Sequence, residues 1–200
     1  MLGQIGAAPP PACPGSPCEA IGSVTGFQTT AGGVSQPFKA PFNGKVVAWS
    51  ISLSRPDRDQ REFFNDFYAP PPQARIAVLR RVRGSRPPEF TMVRQSPVVV
   101  LRPYLGSTVV FALEHPLTVL KDQVVAISIP TWAPGFAVGI SANNTWRASR
   151  RSGACAGTRD IRASRAHQRV GSKRQYACSY TTARLLYTAT VVRGRVSSGR

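Results

Sequence analysis

Acidic residues are scarce in this chain: 9 Asp and Glu stand against 26 Lys and Arg, which gives a formal charge of +17 at pH 7 over 200 residues. The deficit leaves a field that favours polyanions, whether nucleic acid, anionic lipid or an acidic envelope polymer. Long apolar runs are also missing. The longest, VVAWSISL and QVVAISIP, stop well short of the roughly 20 residues that a membrane-spanning helix needs. Histidine is limited to His115 and His167, neither beside a nucleophile motif, and no GxSxG, HExxH or phosphate-binding glycine loop is present. With no catalytic residue, cofactor or metal site marked out, the chain is expected to be non-catalytic. The alternative is a hydrolase whose carboxylates converge from distant strands, a pairing that leaves no local motif.

The positive charge is unevenly placed. From Arg147 to Arg200 there are 13 Lys and Arg and one acid, Asp160, so the basic character belongs mainly to the last quarter. A compositional explanation competes with a functional one: Arg outnumbers Lys 22 to 4, and Ala, Gly, Pro and Val abound, as coding from a GC-rich genome produces.

Four cysteines fall in two pairs, Cys13 with Cys18 and Cys155 with Cys178. An even count in loop-forming surroundings predicts two disulfides and an oxidising compartment, although three pairings are open. Four zinc-bound thiolates are the alternative, but these spacings do not match the usual short knuckles. The opening MLGQIGAAPPPAC shows no positive n-region and no apolar h-region, whereas Ala-Ala-Pro-Pro-Pro reads like the segment that follows a cleaved leader. A secreted or cell-envelope location is therefore expected, and a cytoplasmic protein with free thiols is the alternative.

Residues 1–20 carry no apolar period and read as a mobile lead-in, and 194–200 as a tail. Between them, across 21–193, short strands are predicted in a single domain. In KVVAWSISL, Val47, Trp49, Ile51 and Leu53 alternate with small or polar residues, and Asn43-Gly44 marks a turn before them. The same period of two joins Ile76 and Val78; Val109, Phe111 and Leu113; Val125, Ile127 and Ile129; and Leu185, Tyr187, Ala189 and Val191. Further strands are expected near 90–95, 97–102 and 136–141, about eight to ten in all. One short helix is predicted over Arg58–Phe67, inside a long inter-strand connection. The pattern implies an all-β antiparallel sandwich. The runs PFKAPFNGKVVAWSISL and FALEHPLTVLKDQVVAISIP resemble the strand and turn phrasing of extracellular jelly-roll modules of the carbohydrate-binding type, across residues 21–145. That resemblance implies a jelly-roll-like sandwich and a binding role, and carries no binding residue onto this chain.

Three clusters carry the candidate chemistry. Asp57, Asp59, Glu62 and Asp66 could hold calcium, but Arg55, Arg58 and Arg61 interleave with them, and a solvated helix face with an Arg58–Glu62 pair is the plainer reading. Phe63, Phe64, Phe67 and Tyr68, with Trp132 and Trp146, could form an exposed aromatic platform for a sugar or partner, or cap an open end of the sandwich. The Arg-rich disulfide loop over 148–178 is the leading ligand surface. Arg147, Arg150 and Arg151 precede its tether, and Arg159, Arg162, Arg165, Arg169, Lys173 and Arg174 lie within it. Such a loop can neutralise several phosphates or carboxylates at once. It lacks the interleaved aromatics of a single-strand platform, so an anionic polymer or cell-surface glycan is expected rather than nucleic acid. A solvated loop with no ligand is the alternative. Asn143-Asn144-Thr145 also fits a glycosylation sequon.

Overall fold

The computed structural model describes residues 1–194 and shows an all-β antiparallel sandwich. Most of the expected tail, 195–200, lies outside the described residues. The larger layer runs in the order β11 (Lys173–Gln175), β5 (Glu89–Gln95), β4 (Gln73–Arg81), β8 (Val124–Ala133), β1 (Ile21–Ala31), β10 (Thr145–Ala148) and β12 (Cys178–Thr181). Two short strands, β2 (Val34–Ser35) and β6 (Val99–Val100), pair with β1 and β4. The smaller layer is β14 (Tyr187–Arg193), β3 (Gly44–Ser52) and β7 (Thr108–Val119), while β9 (Phe136–Val138) pairs with β13 (Ala183–Leu185).

Side chains from the two layers share one core. Val24, Ile76, Val78, Val125, Ile127 and Ile129 of the larger layer join Val46, Trp49, Ile51, Val119 and Tyr187 of the smaller. Fully burying each such side chain contributes roughly 1.5–3 kcal/mol. The alternation of Val125, Ile127 and Ile129 is thereby explained. On β3 the inward residues are Val46, Trp49 and Ile51, followed by buried Leu53 just past the strand, and not Val47, because a bulge between Val46 and Ala48 shifts the register against both neighbours. One extra residue in a strand moves what precedes it to the other face.

Other boundaries differ for local reasons. The strand expected near 97–102 shrinks to β6 and then a 3-10 turn, Arg102–Tyr104, since Pro97 and Pro103 have no N–H to give a ladder. That expected near 136–141 ends at Val138, before Gly139 at φ +67°. Fourteen strands occur among the described residues, and the excess over the expected eight to ten consists of short pieces.

Helix α1 (Arg58–Tyr68) starts at a capping box: the Asp57 carboxylate accepts from the Gln60 N–H, and the Gln60 side chain accepts from the Asp57 N–H, both at 2.9 Å. Glu62 pairs with Arg58 at 2.9 Å. The acids of this cluster are all exposed on the solvated face of α1 or at its cap. No helix among the described residues is long and apolar enough to cross a membrane.

The cysteines are bonded in two pairs, Cys13–Cys18 and Cys155–Cys178, rather than gathered as four thiolates. Residues 1–20, expected as a mobile lead-in, lie against the sandwich. Leu2 exchanges backbone hydrogen bonds with Ala189 at 2.8 and 3.1 Å, and the Arg184 guanidinium donates to the Ile5 carbonyl at 3.2 Å.

Candidate anion-binding site

Alternation on β1, β4 and β8 leaves a second face, and this face is buried too. Phe27, Ala77, Leu79, Phe90, Met92 and Ala126 form an outer cluster completed by Tyr176, which comes from the Arg-rich segment. That segment therefore packs across the larger sheet through Tyr176.

Its fastening is polar as well as apolar. The His167 N–H donates to the Thr25 hydroxyl at 3.0 Å, and Thr25 shares a 2.7 Å hydrogen bond with Ser128, so two hydroxyls on the sheet surface receive the crossing chain. The His167 ring is 1% exposed. Its Nε2 lies 3.1 Å from the Ser172 carbonyl and its Nδ1 3.2 Å from the Tyr176 hydroxyl. This network assigns a neutral ring with the proton on Nε2, donating to Ser172, and Nδ1 accepting from Tyr176. Burial lowers the His167 pKa to about 4; the Ser172 hydrogen bond opposes that shift and Arg174 reinforces it. Among the described residues, Arg75 also reaches the crossing, donating to the Gln168 side chain at 3.0 Å.

Held this way, the segment walls a cleft of about 460 Å³ lined by Arg150, Arg151, Arg165, Lys173 and Arg174. Glu89 and Asp160 are the acids in its lining. The two ion pairs found among the described residues, Lys39–Asp122 and Arg58–Glu62, involve none of these seven side chains. Helix α2 (Thr158–Ala163) supplies Asp160 and Ala163, and the short strand β11, paired with β5, supplies Lys173 and Arg174. Arg165 donates to the carbonyls of Arg162 and Ser164 at 3.0 and 2.7 Å, and Arg174 donates to the carbonyl of Arg165. Those two guanidiniums tie the turn together while keeping further N–H groups. No hydrogen bond from the side chains of Arg151 or Lys173 is formed among the described residues.

The remaining candidates separate. Arg147 lies in a different cleft, about 600 Å³, with Arg81, Phe27 and Phe90, and donates to the Tyr176 carbonyl at 2.8 Å. Burial first, and the Arg81 charge second, lower its pKa. Arg162 stacks over the Phe67 ring at 5.0 Å, and Arg159 and Arg169 are exposed away from the cleft lining. The aromatic side chains of α1 and Trp132 form one connected cluster that runs from buried to exposed rings. Phe64 and Trp132 are buried against each other, 4% and 1% exposed, and the Trp132 indole donates to the Asn65 side chain at 3.0 Å. Phe63 points outward at 59% exposure, about 100° around α1 from its neighbour Phe64, yet its ring still meets Phe64 edge to face at 5.6 Å and stacks on Phe67 at 5.7 Å.

Sequence reasoning passed over a second concavity, about 440 Å³, whose lining includes Glu19, Tyr68, Phe136, Trp146, Arg150 and Tyr180. Glycines signal it. A Cβ on Gly22 would fall 2.4 Å from Tyr68 Cδ1, and one on Gly26 would fall 2.9 Å from Trp146, so two strand glycines make room for two aromatic walls. Burial raises the Tyr68 pKa, while Arg150 pulls it down and Glu19 raises it further.

No family model, curated protein or solved structure matches this chain. The two concavities share one arginine, Arg150.

Proposed function

We propose that this chain is a non-catalytic binding module of an oxidising, extracytoplasmic compartment, secreted or held at the cell envelope, whose ligand is an anionic polymer lying in the basic cleft. The observation that carries this reading is the unneutralised charge there: five cationic side chains against two acids, with no ion pair among them. A polymer with repeated carboxylates or phosphates replaces the missing counter-charges and releases bound counter-ions. The cleft has no aromatic side chain in its lining, which favours a ligand read by its charges over one read by stacked bases. Two disulfides support the oxidising compartment.

The test compares retention on immobilised polygalacturonate and on neutral dextran for the native chain and for an Arg151→Gln, Lys173→Gln variant. Neither side chain holds the fold. Retention on the acidic polymer alone, weakened about tenfold in the variant, is expected; equal retention on both polymers, or no effect of the double substitution, would overturn the reading.

A further inference from the structure

Arg150 is 7% exposed, and no carboxylate pairs with it among the described residues. Its Nη1 donates to the Tyr180 hydroxyl at 2.6 Å, and its Nε is buried with no acceptor. A guanidinium edge buried without an acceptor or a counter-charge is unfavourable, so the position calls for an anion. Arg184, similarly buried, is answered by backbone carbonyls of the N-terminal segment; Arg150 instead lies in the lining of both concavities.

The second concavity also has the walls of a ring-binding site. Tyr180 stacks on Trp146 with centroids 4.7 Å apart and planes at 25°, Phe136 meets Trp146 edge to face at 5.7 Å, and Tyr68 lies over Gly22. The Trp146 indole Nε1 is, like Arg150 Nε, buried without an acceptor. Its volume falls in the usual range for small-molecule sites, roughly 300–1,000 Å³. Glu19 at the rim is an acceptor for hydroxyl groups and a repulsive charge toward an anion.

We infer that this pocket takes one carboxylate-bearing sugar ring, a hexuronate residue, with its carboxylate on Arg150 and its ring among Tyr68, Trp146 and Tyr180. The inference rests on the proposed reading of the chain as a binder of an anionic polymer, and names the unit that the pocket would select from it. A cation against aromatic walls recognises charge and ring together, whereas the basic cleft recognises charge alone.

Calorimetric titration with free galacturonate, galactose and inorganic phosphate tests it. Galacturonate is expected to bind at least tenfold more tightly than either of the others. Equal binding of phosphate would reduce the pocket to a small-anion site, and equal binding of galactose would remove Arg150 from recognition; either overturns the inference. Arg150→Met is expected to abolish galacturonate binding while leaving the melting temperature unchanged or higher, because Tyr180 keeps its bond to the Cys155 carbonyl. Glu19→Gln, at an exposed position, is expected to raise galacturonate affinity two- to fivefold relative to that for galactose, since it removes the repulsive charge and keeps a carbonyl acceptor for hydroxyl groups. No gain in that variant contradicts the placement of the carboxylate even if Arg150→Met fails to fold. Retention on polygalacturonate that still depends on Arg151 and Lys173, with no binding of free galacturonate, would sink this inference alone and leave the cleft reading standing.

Discussion

The Arg150 guanidinium donates to the Tyr180 hydroxyl at 2.6 Å, and that hydroxyl donates in turn to the Cys155 carbonyl at 2.7 Å. A single relay thus connects the arginine shared by both concavities to one end of the Cys155–Cys178 disulfide, whose other end, Cys178, begins β12 opposite Ala148 of β10, two residues before Tyr180 pairs with Trp146. Binding geometry and the covalent tether are linked through Tyr180.

Removing the tether is expected to loosen the cleft before it unfolds the sandwich. Closing the segment between Cys155 and Cys178 removes about 3 kcal/mol of unfolded-chain entropy in the loop model. A Cys155→Ala, Cys178→Ala variant should lose about that much stability in urea titration and retain polygalacturonate more weakly than its remaining folded fraction accounts for. Native-like retention at full folded fraction would show that the tether does not shape the site.

His167 makes the crossing sensitive to acid. Its folded-state pKa, about 4, lies below the ordinary value of 6.5, so the unfolded chain binds the proton more readily. The contribution is fully present above about pH 6.5 and is lost progressively as pH falls toward 4. Allowing for partial solvent screening, the loss is on the order of 2 kcal/mol. Melting curves across that window should show the native chain losing stability more steeply than His167→Gln, and parallel slopes would contradict the buried neutral ring.

Gly22 is the close-approach point under Tyr68. A methyl group there would meet Tyr68 Cδ1 at 2.4 Å and, less avoidably, the Thr131 carbonyl oxygen at 2.5 Å. Gly22→Ala should therefore destabilise the domain by about 1–3 kcal/mol through overpacking, seen as a melting point lower by several degrees. Unchanged stability would mean that β1 can move away from β8.

Much of the fold was legible because period-two alternation survives wherever one face meets the core, as at Val125, Ile127 and Ile129. The helix was legible over nearly its full length, since its boundary signals, Asp57 with Gln60 and the prolines after Ala69, are local. What escaped was long-range. The bulge that replaces Val47 by Val46 depends on pairing with β7 and β14, which lie far away in the chain. Thr25 and Ser128 look like solvent-facing strand residues until His167 is seen to bond to them from 142 residues beyond Thr25. The basic segment was visible as charge, but its seating was not, because Tyr176 and His167 in a polar, arginine-rich stretch give no period to read. The aromatic pocket was the least visible part, assembled from Glu19, Tyr68, Trp146 and Tyr180 on four separate pieces of chain. Its one sequence trace was a pair of glycines, Gly22 and Gly26, within the strand β1.

Unneutralised cations in the cleft are proposed to bind a polyanion. The most direct measurement is the affinity for polygalacturonate as a function of salt, between roughly 50 and 200 mM, for the native chain and the Arg151→Gln, Lys173→Gln variant; counter-ion release makes log affinity fall linearly with log salt, with a slope set by the charges neutralised. A steep native slope, shallower by about one to two in the variant, is the expected result. Salt-independent binding, or the same slope in both proteins, would rule out charge-driven binding in the cleft.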